Sequence, residues 1–168
     1  MIFMSQSGIT DPKQQAAWDR WYLDHLQVML TVDGIESAQR FELLQGHASP
    51  SLAIYSIASP EVFQDAYYLR IRGMGAWLPL IDREHYHRNL FTGLDIAPEV
   101  PDTGVLLVAD RHEPEPMRAG SVWTWLEAAG LDRSTPYRGI AVVPSASALD
   151  VPGTDVASYR PVTGRLCA

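Results

Sequence analysis

Apolar and polar positions change period several times along the chain, and each change marks an element. The stretch "MIFMSQSGI" is a short apolar run that predicts a first strand. In "TDPKQQ", Thr10 or Asp11 can cap a helix and Pro12 suits its first position. Large apolar residues then recur at helical spacing to about Leu30, and "VDGI" ends the helix with Gly34. "IESAQRFELLQG" alternates around Phe41 and Leu43 and predicts a strand, "HASP" is a turn, and "SLAIYSIA" is another strand with β-branched and aromatic residues in place. "SPEVFQDAYYLRIRG" predicts a second helix: Ser59 as cap, Pro60 first, Glu61 in the first turn, then Val62, Phe63, Ala66 and Leu69 or Arg70 at helical spacing. "GMGAWLP" reads as a loop or broken helix and "YHRNLFTGLDI" as a fourth strand.

Over residues 1–96 this order is β-α-β-β-α-β, which predicts a ferredoxin-like α+β unit with an antiparallel sheet and two helices on one face. The Pro-rich "APEVPDTG" divides the chain into 1–100 and 101–168. Beyond it, "VLLVAD" suits a strand buried on both faces, "MRAGSVWTWLEAAG" reads as a short helix ending at Gly130, and "YRGIAVVPSA" and "VASYRPVTGRL" read as strands. The second part is thus expected to be a reduced β-α-β-β extension packed on the same domain. A ferredoxin-like sheet has one bare face, and Ile2, Met4, Leu44, Leu52 and Ile54 need a cover. Either a second chain or residues 101–168 supplies it; the reading favours a second chain, hence a homodimer.

Composition narrows the function classes. At 168 residues and 46% hydrophobic content the chain can build a core. A net charge of −7 argues against nucleic acid and against an anionic membrane surface, both of which need a basic patch. The single Cys167 excludes an intrachain disulfide and a Cys-rich zinc site. The N-terminus turns polar too soon for a signal peptide and no run reaches membrane-spanning length, so a cytoplasmic protein is expected.

Candidate chemistry centres on "WDRWYLDHLQVML". With Trp18 at 0° on a helical wheel, Trp21, Tyr22, His25 and Met29 fall at about 300°, 40°, 340° and 20°. Asp19, Arg20, Asp24 and Gln27 occupy the arc from about 100° to 240°. His25 therefore sits on the apolar stripe. It is either a core histidine bonded to a carbonyl or a ring in use, because imidazole is the side chain most easily tuned near neutral pH. In the second case Trp21, Tyr22 and Met29 form the wall of a cavity that disfavours the charged ring.

The stretch "AAWDRWYLDHLQVMLTVDGIESAQRFEL" resembles the opening of EthD-like proteins in the dimeric α+β barrel superfamily. That family carries a Trp/Tyr-rich first helix with a His near its end, a "vPGf" turn, and a strand with an Arg followed by an aromatic. Here these match His25, Val32-Asp33-Gly34-Ile35 and Arg40-Phe41, with Asp33 where Pro is common. The resemblance covers about residues 1–96. It implies sheets paired face to face in a dimer and a cleft between sheet and helices, and relatives that include cofactor-free monooxygenases, cyclases, isomerases and haem-degrading enzymes.

Other constellations are weaker. Asp82 to Arg88, "DREHYHR", offers His85 and a second His two residues on, a metal-ligand geometry only on a strand and without a third ligand. Tyr67, Tyr68 and Trp77 suit a pocket mouth or a core, and the Trp123–Trp125 pair reads as structural. Arg40 is expected to pair with Glu42 or Glu36, or to hold an anionic substrate group. Gly73–Gly75 lacks the Lys and spacing of a phosphate loop. Two classes follow. One is a cofactor-independent monooxygenase, cyclase or isomerase acting on an aromatic or polyketide-like substrate. In it His25 moves a proton next to a carbonyl, with Tyr22 and Arg40 as catalytic partners and Trp21, Met29, Tyr55, Trp77 and His85 around the ligand. The other is a non-catalytic dimeric module that binds a small hydrophobic ligand or only packs. Haem on an axial His is a third class with no specific support. No cofactor and no metal are expected.

Overall fold

The computed structural model describes residues 1–116, 121–145 and 155–168. In chain order the elements are β1 (Ile2–Ser7), a 3-10 turn (Pro12–Gln14), α1 (Gln15–Met29), β2 (Ile35–Gln45), β3 (Ser51–Ile57), a 3-10 turn (Pro60–Gln64), α2 (Ala66–Ile71), a 3-10 turn (Gly75–Leu80), β4 (His87–Thr92), β5 (Gly104–Arg111), β6 (Thr124–Leu131), β7 (Tyr137–Pro144), β8 (Ala157–Pro161) and β9 (Leu166–Cys167).

Eight strands close into one antiparallel barrel, in the order β1-β4-β6-β7-β5-β8-β2-β3 and back to β1. The short β9 lies beside the start of β2, pairing Ser37 with Cys167 and Ala38 with Leu166. The first and second halves of the chain each supply four strands, and two seams join them: Asn89–Thr92 of β4 against β6, and Phe41–Gln45 of β2 against β8. This overturns the ferredoxin-like α+β sheet and the barrel made by two chains. The element order of residues 1–92 is present, but its four strands are an arc of a closed barrel. The physical reason is the cover: Ile2, Met4, Leu52 and Ile54 meet Leu106, Leu126, Ile140 and Tyr159 of the same chain inside the barrel. Leu44 needs no cover, since it is 51% exposed. An eight-stranded barrel has an interior just wide enough for side chains to fill, so the lumen is core.

Alternation along the strands builds a second core outside. On β1, Ile2, Met4 and Gln6 point in while Phe3, Ser5 and Ser7 point out; on β3, Leu52 and Ile54 point in while Ala53, Tyr55 and Ile57 point out. α1 lays Trp18, Tyr22, Leu26 and Met29 on that outer face. Its entry follows the sequence reading in part: Asp11 accepts from the Lys13 N–H and Pro12 opens a 3-10 turn that runs into the helix.

Two expected helices differ. The second breaks at Asp65, which is extended and whose carboxylate accepts from the N–H groups of Tyr67 and Tyr68. A strong cap inside the stretch ends the 3-10 turn and starts a new, six-residue helix, and Ser59 makes no side-chain cap. Of "MRAGSVWTWLEAAG", residues 117–120 lie outside the described residues and the helix reading gives way to β6. Its Leu126 points into the barrel and Glu127 to solvent, a period of two. The rings of Trp123 and Trp125 lie across Gly139 of β7, each about 3.0 Å from where a β-carbon would stand. Val105, Leu107, Ala109, Ala141 and Val143 form a third buried cluster on this outer face, with Val156 and Trp123.

Candidate functional site

The residues singled out from sequence separate into three places. The first is a cavity of about 30 Å³ between α1 and the outer face of the barrel. α1 contributes Tyr22, His25 and Met29; β1 and β3 contribute Ser5 and Tyr55; Tyr68 of α2, Arg72, Met74, Tyr86 and Arg88 close it. The buried stripe of α1 runs through Trp18, Tyr22, Leu26 and Met29, which places His25 on its flank and half-buried rather than at its centre. The imidazole stacks on Trp21, centroids 4.8 Å apart and planes 11° apart, and meets the edge of Tyr22 at 6.1 Å. Trp21 in turn stacks on Trp18 at 5.0 Å, and Trp77 packs against both at 5.4 and 6.3 Å. Trp21 and Trp77 thus form an aromatic ladder beside the cavity.

Burial sets the protonation states. It lowers the His25 pKa below its ordinary value, which favours the neutral ring. Burial raises the Tyr22 phenol, opposed by a hydrogen bond with Ser5 and the charge of Arg40. Tyr55 is pushed well up by burial and by the neighbouring phenols of Tyr22 and Tyr68. Tyr68 and Tyr86 are raised by burial against the pull of Arg88. The cavity therefore combines neutral phenols and one neutral imidazole with the guanidiniums of Arg72 and Arg88.

Arg40 belongs to the second place. Its guanidinium carbon sits 4.4 Å over one face of the Tyr22 ring, and it lines a larger groove with Trp18, Asp19 and Leu23. Its partner is neither Glu42 nor Glu36 but Asp19, at 2.6 Å. Glu42 pairs instead with Arg160 across the β2–β8 seam. A helix residue 21 positions back on the chain is invisible to a reading along one strand.

His85 lies in the third place, a polar bowl of about 530 Å³ at one barrel mouth, with His47, His87 and Arg138. His85 precedes β4 and His87 opens it, so the pair does not share a strand face; His85 bonds Asp82 at 2.8 Å and His87 the Glu84 carbonyl oxygen at 3.1 Å. Among the described residues no three His, Cys, Asp or Glu side chains converge to hold a metal ion. Tyr67 faces away from the cavity mouth to Thr31, 3.0 Å between hydroxyls.

Sequence reasoning missed Ser5, Arg72, Tyr86 and Arg88. The outward alternation of Ser5 on β1 and of Arg88 beside Leu90 on β4 was the available signal. It could be used only once the helices were known to cover that face. Comparison with family models, curated proteins and solved structures found no match, so fold and site rest on this chain alone. Among the described residues no helix is long and apolar enough to cross a membrane.

Proposed function

We propose that the chain is a proton-transfer enzyme in which His25 is the general base for a carbon next to a carbonyl. The observation that carries this reading is the meeting, on one cavity, of an imidazole kept neutral by burial with the phenols of Tyr22 and Tyr55. A neutral imidazole accepts the proton; a protonated phenol donates to the developing oxyanion. Arg72 and Arg88 add positive charge at the same wall. All of these groups come from this chain. A space of about 30 Å³ holds a water or two and is far below the roughly 150 Å³ that takes a benzene ring. Any carbon substrate therefore reaches His25 only when the lining opens. Small carbonyl compounds require the least opening and are the first probes.

The test is exchange of α-protons into D2O, followed by NMR, across a panel of small 1,3-dicarbonyl compounds. Wild-type protein is expected to accelerate exchange of at least one member. His25→Asn should remove about 10²–10⁴ of that acceleration, the usual worth of a positioned base, with the melting temperature within a few degrees. Wild-type protein that leaves every probe at the buffer rate, or a folded His25→Asn protein that exchanges as fast as wild type, overturns the reading.

A further inference from the structure

The groove over Arg40 is separate from the His25 cavity and far larger, about 490 Å³, within the roughly 300–1,000 Å³ of small-molecule sites. Trp18 and Leu23 of α1 form one wall; Leu43, Pro50 and Val162 form the other. Arg40 is 4% exposed, so a buried charge lines a space bordered by these apolar walls and by Gln15, Asp19, Glu42 and Ser51. A guanidinium carries five N–H groups. Three are used: Nε donates to Ser51 Oγ at 3.1 Å, Nη1 to the Asp19 carbonyl oxygen at 3.4 Å, and Nη2 to Asp19 Oδ1 at 2.6 Å. Five less three leaves one N–H on each terminal nitrogen without a protein partner among the described residues. The charge of Arg40 is already met by Asp19, and the Glu42 carboxylate also lines the groove. With Glu42 in turn paired to Arg160, a ligand carboxylate would find no uncompensated positive charge here and would stand close to the Asp19 carboxylate. An uncharged acceptor would meet the spare N–H groups without that repulsion.

We propose that this groove binds a neutral, largely apolar molecule ending in a carbonyl or similar uncharged acceptor. Its apolar body lies along Trp18, Leu23 and Pro50, and its acceptor oxygen takes the free N–H groups of Arg40. The groove shares no lining residue with the His25 cavity.

Calorimetric titration of the wild-type chain at pH 7 with three naphthalenes tests this. 2-Acetylnaphthalene should bind at one per chain. 2-Ethylnaphthalene, which lacks the acceptor, should bind about tenfold more weakly, the worth of one hydrogen bond to a charged donor. 2-Naphthoate should bind more weakly than the ketone. Tighter binding of the naphthoate, equal binding of ketone and hydrocarbon, or no saturable binding of the ketone overturns the proposal. Location is tested by Leu23→Arg, a surface helix position 40% exposed, where Arg keeps helix propensity and folding. Loss of about tenfold in ketone affinity is expected there; unchanged affinity places the ligand elsewhere and overturns it.

Discussion

Arg138 is the residue whose environment departs furthest from its chemistry. It is 1% exposed at one end of the barrel interior. Nε and Nη2 both donate to the Asp110 carboxylate at 2.7 Å, Nη1 donates to Gln6 Oε1 at 2.8 Å, and the guanidinium carbon lies 5.3 Å from the Phe91 ring centroid. Removing one member of a buried pair leaves the other uncompensated. Arg138→Ala should therefore cost about 3 kcal/mol, the low end for such pairs, because Asp110 is 46% exposed and keeps water. Arg138→Met, which keeps the volume, should cost clearly less; urea midpoints of the two variants decide. His25 gives a pH prediction of definite sign. Its folded pKa is lowered, so the unfolded chain binds the proton more readily, and stability falls as pH drops below about 6.5 and through the folded value. His25→Asn should flatten that part of the stability–pH curve, and the proton exchange proposed for His25 should reach its plateau before neutral pH. The environment of Arg138 was not open to a linear reading. His25, Tyr22 and Met29 were legible because one helix spaces them. The partners of Arg40 and Arg138 are set by folding between distant segments.

Between α2 and β4 the chain closes the His25 cavity with Met74, flanked by Gly73 at φ +99° and Gly75 at φ +49°. Beyond Met74 this segment is held where the Thr10 N–H donates to the Leu80 carbonyl and the Asp82 N–H to that of Gly8. Nothing lies within 4 Å of a β-carbon built on either glycine, so a substitution there acts through the backbone alone. Gly73→Ala should cost about 1–2 kcal/mol from its positive φ. Thermal denaturation reads that cost, and a neutral result would show that the segment relaxes freely. At this scale, strands with clean alternation or turn punctuation, such as β2, β3 and β7, were legible. The expected helix at the β6 segment was not. Its paired tryptophans and alanines are compatible with a helix, and only pairing with Tyr137–Ile140 of β7 reveals Trp125 lying over Gly139. The break at Asp65 was masked because Pro60 and Glu61 promise a start five residues earlier.

For the whole molecule, closure within one chain answers the need that had pointed to a homodimer, since Leu106, Leu126, Ile140 and Tyr159 fill the barrel beside Ile2, Met4 and Ile54. The intact chain is expected to sediment at its monomer mass of 18.7 kDa at micromolar concentration. A fragment of residues 1–100 exposes that apolar arc and should self-associate; a monodisperse fragment would show that the arc can be covered another way. What the sequence concealed at this scale was closure itself, because β2 meets β8 only across more than a hundred residues, as Glu42 to Arg160 shows. That seam has a consequence during synthesis. When the first four strands have left the ribosome, the outer edges of β2 and β4 still lack their final neighbours, and the strand that completes β2 is among the last to be made. An unpaired edge recruits whatever strand is near. A second nascent chain presenting the same bare edges would compete with β8 for β2, and slower elongation through residues 101–156 would lengthen the interval in which it competes.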